Sequence, residues 1–279
     1  MSKALARWRV ASNVVSKPTR SFASTLNLQR AAAAHAHKTH ITRSYSSTQR
    51  PPVQEHTEPH ESYPVLLSQL SDLPELAAHL NETFAPLEFS PELAARILTH
   101  PGHKHASISS NSRLSFIGRR VLQSYLMLFL NSSPDAGIAH SYETIVEKTL
   151  NTYILGEFVA PKWGLPPIMK WRPIGLDSRI DRRDAHKLGR EAAFSIGLYK
   201  ASGTAVEALV GGVFHHYGGN VAHRLFHTRL LPHVLLPGRP DGLHDSFHGH
   251  ALKICKQLGG QHGNLLDSAS PETQSPHSR

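Results

Sequence analysis

Asn111-Ser112-Arg113-Leu114-Ser115-Phe116-Ile117-Gly118-Arg119-Arg120-Val121-Leu122 is the stretch on which the fold turns. Its apolar positions Leu114, Ile117, Val121 and Leu122 continue into Tyr125, Leu128 and Phe129 at i, i+3, i+4 spacing. That period predicts a helix from about Asn111 to Leu130. Its last turns are apolar all round, the mark of a central, buried helix.

Working outward, Ser90-Pro91-Glu92 offers an N-cap, a first-turn proline and a first-turn acid to a helix carrying Ala94, Ile97 and Leu98. Before it, Leu76, Leu80 and Phe84 repeat every four residues on a short helix introduced by Pro74. On the C-terminal side, Ser141 can cap a helix with Ile145, Val146, Leu150 and Tyr153 that ends near Gly156. The stretch 160–184 is irregular, with four prolines alongside Trp163 and Trp171. A fifth helical region is expected from Lys187 to about Tyr217, and a sixth from Val221 to Leu230, capped by Asn220 and stopped by Pro232. No run alternates like a strand, so the expected class is all-α, a helical bundle.

The 279 residues include 30 Lys+Arg and 21 Asp+Glu, a formal charge of +9. Nine of the basic residues and none of the acids fall within the first 50 positions, so the remainder is formally neutral. A basic, Ser-rich and Ala-rich arm without acids has the composition of a mitochondrial transit peptide rather than a secretory signal. Arg43-Ser44-Tyr45-Ser46 suggests cleavage after Tyr45. The expected organisation is a transit peptide over 1–45, a linker over 46–62, a folded domain over 63–236 and a C-terminal extension over 237–279. From Gln257 onward the composition predicts disorder. One cysteine, Cys255, excludes an internal disulfide framework and a cysteine-rich zinc module. No apolar run approaches the roughly 20 residues of a membrane span.

The quoted stretch resembles the ribonuclease III signature NERLEFLGDSVL, with Asn111, Arg113, Leu114, Phe116, Gly118, Val121 and Leu122 in register. Phe89–Leu93 leading to Leu98-Thr99-His100-Pro101 resembles the helix that precedes it in the family. Thr204-Ala205-Val206-Glu207-Ala208-Leu209-Val210-Gly211-Gly212 resembles its second motif, DTFEALIGA. The resemblance spans about residues 65–235 and implies the family's all-α endonuclease-domain bundle. It also implies that the signature helix pairs with a domain of the same fold through Leu114, Phe116, Ile117 and Val121. The alternative is that Phe116 packs in its own core.

An active member carries four carboxylates on these two helices for Mg²⁺, which takes hard oxygen ligands and activates water. Here the matching positions are Ser115, Arg119, Thr204 and Glu207. Their formal charges cancel, so the resemblance implies a degenerate site with no catalytic residues, no bound metal and no cofactor. Arg119 is expected within about 4 Å of Glu207 as an ion pair, with Ser115 and Thr204 as neutral hydrogen-bonding neighbours.

Among the 21 histidines, His223 and His227 are spaced i, i+4, and His244, His248 and His250 cluster beyond them. No acid or cysteine completes a zinc set beside the helical pair, so RNA-facing or surface histidines are expected. The densest basic group is Arg172, Arg179, Arg182, Arg183, Lys187 and Arg190, and nearby tryptophans could stack on bases. Asp177, Asp181 and Asp184 interleave, so a salt-bridged face and an RNA contact remain equally open.

Degenerate ribonuclease III folds with a mitochondrial address resemble structural proteins of the mitochondrial large ribosomal subunit, in particular a fungal type without a double-stranded-RNA-binding domain. That resemblance implies a non-enzymatic role in the matrix, with large-subunit rRNA and a second ribonuclease III-like ribosomal protein as partners. The competing expectations are a mitochondrial double-stranded-RNA endoribonuclease and an RNA-processing adaptor.

Overall fold

Four glycines set the architecture. A Cβ on Gly118 would lie 1.8 Å from the carbonyl oxygen of Glu207, and one on Gly211 would lie 2.0 Å from that of Leu114. Two helix backbones therefore touch where any larger residue would hold them apart. A Cβ on Gly203 would lie 1.8 Å from the Thr152 carbonyl oxygen, and one on Gly156 would lie 1.8 Å from that of Tyr199. The second motif's helix is thus gripped on two sides, by the signature helix and by the segment beginning at Thr152.

The structure is a computed structural model that describes residues 72–107, 109–137, 140–175, 177 and 180–266, all within one unit, Thr57–Arg279. The expected transit peptide and linker lie outside the described residues. Helix α1, Leu73–Thr83, has Pro in its first turn and buries Leu73, Leu76, Ala77 and Leu80. In α2, Pro91–Leu98, the Ser90 hydroxyl accepts from the Leu93 amide, and Ala94, Ala95, Ile97 and Leu98 are buried. The signature helix is α3, Ser112–Ser132. Helix α4, Tyr142–Thr149, is capped by Ser141, whose side chain accepts from the Thr144 amide. Thr152–Ile154 opens α5, which widens into a π-turn over Leu155–Val159.

Leu165–Ile168 forms the short α6 and Arg190–Ser195 forms α7. The second motif lies on α8, Leu198–Tyr217, buried along most of its length. Helix α9, Gly219–Leu225, passes into a π-turn over Phe226–Leu230 and a 3-10 turn over Leu231–Val234. The last helix, α10, is His248–Gln257. Among the described residues there is no strand, only an isolated Thr99–Lys170 bridge, and no helix is long and apolar enough to cross a membrane.

Several expected boundaries differ for local reasons. The fourth helix stops at Thr149 and does not run to Gly156, because Asn151 turns extended and its side chain accepts from the Tyr153 amide. The region from Lys187 to Tyr217 is broken at Gly197, whose φ of +83° favours glycine. Gly218, not Asn220, precedes the sixth helix.

The domain also continues past Leu236. Leu243, Phe247, Ala251, Cys255 and Leu265 are buried. The Arg224 guanidinium donates to the carbonyls of Leu258 and Asn264, and that of Arg229 to Gly263. The part of the expected disorder that falls on 257–266 is therefore corrected: composition hides a segment held by its backbone carbonyls. Trp163 and Trp171 are each 3% exposed, core residues rather than stacking platforms.

Candidate functional site: the Arg119–Glu207 pair

Glu207 projects from α8 into the space between α3 and α5 and is 1% exposed. A buried carboxylate needs compensation for lost hydration. Three donors supply it. Arg119 Nε donates to Oε1 at 3.2 Å and Nη2 to Oε2 at 2.9 Å, a two-pronged ion pair. The Thr152 hydroxyl donates to Oε1 at 2.9 Å. Gly118 makes this possible, since its close backbone approach brings the next residue, Arg119, over the carboxylate. Glu207 in turn holds the Arg119 guanidinium above its ordinary range, through the hydrogen bonds and then the opposite charge.

The other two expected members of the cluster take no part. The Ser115 hydroxyl donates to the Ser112 carbonyl at 3.1 Å, and the Thr204 hydroxyl to the Lys200 carbonyl at 2.9 Å. Each is satisfied one turn back on its own helix. Thr152 supplies the neutral neighbour instead, and nothing in its own sequence context marks it for that position.

The donor set does not suit Mg²⁺. Arg119 occupies both carboxylate oxygens of Glu207, and Ser115 and Thr204 carry no charge. Among the described residues no group of three or more His, Cys, Asp or Glu could hold a metal ion. Beside the pair lies a cleft of about 340 Å³ whose lining includes Arg119, Asn151, Thr152, Tyr153 and Lys200. Its lining carries two cations, Arg119 and Lys200, and one carboxylate, Glu147.

The proposed pairing face divides. Phe116 is 64% exposed, with the Arg120 guanidinium 5.6 Å from its ring centroid, so it does not pack in its own core. Leu114 and Ile117 are half-buried against the core. Val121 is 8% exposed and belongs to this chain's own interior, which corrects its place in the expected interface. Met127 and Leu128 on the same helix are exposed, so the expectation of last turns buried all round is corrected, and the spacing that includes Leu128 does not place it in the core.

The basic group also divides. Lys187 pairs with Asp184 at 2.7 Å, and Arg190 grips Glu157 at 2.5 and 3.0 Å. Arg172 and Arg183 are exposed, Arg182 is half-buried, and Arg179 lies outside the described residues. The histidines converge elsewhere: His227 sits 4.4 Å from His223, ring to ring, and both His227 and His250 lie against Phe129.

A family model described as Ribonuclease-III-like matches residues 90–234, just over half of the chain. No curated protein matches. The crystal structure of the nuclease domain of ribonuclease III from Campylobacter jejuni is similar at 18% identity, over 52% of this chain and 87% of that one, with a TM-score of 0.39.

Proposed function

From a chain that belongs to the ribonuclease-III-like family, and whose former metal cluster is filled by a guanidinium, we propose a non-catalytic, RNA-binding structural protein of the mitochondrial large ribosomal subunit. Membership of the family implies that RNA is what the chain binds or processes. The Arg119–Glu207 pair carries the choice between the two. Metal-dependent hydrolysis needs a cation held by carboxylates to activate water and to neutralise charge developing on phosphate. Here the single carboxylate is already neutralised by the protein itself. The acid-free arm at 1–50 supports a matrix address. The exposed Phe116, flanked by half-buried Leu114 and Ile117, supports docking to a second ribonuclease III-like protein, because contiguous exposed apolar surface marks interfaces.

Sedimentation of the tagged protein from a matrix lysate tests this reading. Co-migration with the large-subunit peak is expected, and consistent absence from it contradicts the ribosomal role. In the same gradients Phe116→Asp is expected to lose the partner while the chain stays folded.

A further inference from the structure

Two guanidiniums in this fold have opposite surroundings. Arg119 lies on a carboxylate. Arg229, in the π-turn after α9, has no carboxylate within ion-pair distance among the described residues. Its Nη2 donates to the Gly263 carbonyl at 3.3 Å, and its buried Nε has no hydrogen-bond partner among those residues. A cation drawn partly out of water without a counter-charge is unfavourable. Burial accordingly lowers the Arg229 guanidinium, with the Cys255 thiol acting in the opposite direction.

Arg229 lines a cleft of about 320 Å³ with Lys162, Trp163, His233, Gln261 and His262. Four segments far apart in sequence build it: the end of α1, the turn after α5, the turns after α9, and the anchored stretch beyond α10. Phe84 and Trp163 meet edge to face at 5.1 Å on one side, and Trp163 Nε1 donates to the Arg229 carbonyl at 3.2 Å. These contacts hold the turn that carries the guanidinium. No Asp or Glu lines the cleft, whereas the one beside Arg119 includes Glu147. Lys162 is exposed and has no ion pair among the described residues. The lining thus holds two cations and an orphaned donor, with nothing of opposite sign to satisfy them.

We propose that this cleft binds a phosphate group, with Arg229 and Lys162 as its counter-charges. A phosphate brings negative charge and hydrogen-bond acceptors, which Arg, Lys and Gln side chains meet, and a guanidinium presents its donors as a fork that matches it. The volume is at the lower end of ligand sites, about 300–1,000 Å³, so it suits one phosphate with part of a sugar. On the RNA-binding reading above, on which this assignment rests, the phosphate belongs to an RNA backbone. A free phosphate is the other source of the same chemistry.

Two titrations of the full chain test the cleft: calorimetry with inorganic phosphate, and fluorescence anisotropy with a labelled single-stranded RNA across a salt series. Lys162→Gln is expected to weaken RNA binding about threefold and to reduce the salt slope by about 0.7. Arg229→Gln is expected to weaken binding about tenfold. Because Arg229 also holds Gly263, Lys162→Gln decides the matter if that variant does not fold. Lys253→Gln, on α10, is expected to change neither quantity. RNA binding unchanged in the variants while phosphate binding weakens would assign the cleft to a free phosphate. With both unchanged, the cleft is overturned and the RNA-binding reading stands. If the wild-type chain binds no RNA, that reading falls, and the cleft falls with it unless Lys162→Gln weakens phosphate binding. Binding of polyglutamate, but not RNA, that Lys162→Gln weakens would point to an acidic protein and would overturn the proposal.

Discussion

Glu207 and His227 are both buried polar groups beneath the signature helix, and the fold keeps them by opposite means. Glu207 is compensated by three donors brought onto its carboxylate. His227, 3% exposed against Phe129, remains uncharged: burial, then His223 and His250, push it down to about 3. Its Nδ1 and the Nε2 of His250 have no hydrogen-bond partner among the described residues. The first region depends on how closely two backbones approach, and the second on the proton concentration outside. A carboxylate held by an internal ion pair needs the surrounding geometry intact, but nothing from solution.

The largest effect should come from breaking that approach. Gly118→Ala places a methyl group 1.8 Å from the Glu207 carbonyl oxygen. On an open helix the same change would stabilise by about 0.8–1 kcal/mol. Here the obstacle is backbone that cannot swing aside, so a loss of about 3 kcal/mol or more is expected, at or beyond the upper end for overpacking. Urea denaturation, or failure to recover soluble helical protein, would register it. An unchanged midpoint would show that α3 and α8 can separate freely.

Removing only the counter-charge should cost less. Arg119→Ala leaves Glu207 buried without its cation. Losing one partner of a fully buried pair costs about 3–5 kcal/mol. The Arg119 side chain is 52% exposed, which lets water and salt screen the pair, so about 2 kcal/mol is expected. Denaturation at low and high salt measures this, with the wild-type advantage shrinking as salt rises.

How far these regions could be read from residues alone differs sharply. Arg119 opposite Glu207 was legible because both sit in motifs with fixed helical spacing. Thr152 was not, because its position depends on the turn at Asn151 and on Gly203 letting α5 come close. The interface role that the resemblance implies for Val121 fails because i, i+3, i+4 spacing shows that a residue faces apolar surroundings without saying whose. The segment after Leu236 was hidden by its polar composition. Its anchoring falls to a few apolar residues and to arginines bonded to carbonyls, and backbone acceptors leave no trace in composition.

The histidine region supplies the third test. Between pH 6.5 and about 3 the unfolded chain carries a proton on His227 that the folded chain refuses. The contribution is fully present above 6.5 and is lost as the pH falls through that window. Stability is expected to drop by about 2 kcal/mol between pH 7 and pH 4.5, at 1.36 kcal/mol per pKa unit. His227→Phe should flatten this dependence. Identical pH profiles for the two proteins would remove the histidine from the account. The smallest effect is expected from Thr152→Val, which takes one hydrogen bond from Glu207 and leaves the guanidinium in place. About 1 kcal/mol is expected, and a change as large as that of Arg119→Ala would mean the hydroxyl organises the pair.

The measurement that bears most directly on the account is incubation of the purified full chain with labelled duplex RNA and millimolar Mg²⁺ or Mn²⁺, beside a Glu207→Gln control. The RNA is expected to stay intact in every lane, because Arg119 already occupies the only carboxylate of the cluster. Metal-dependent cutting by the wild-type chain that disappears in Glu207→Gln would contradict the claim that this fold has exchanged catalysis for structure.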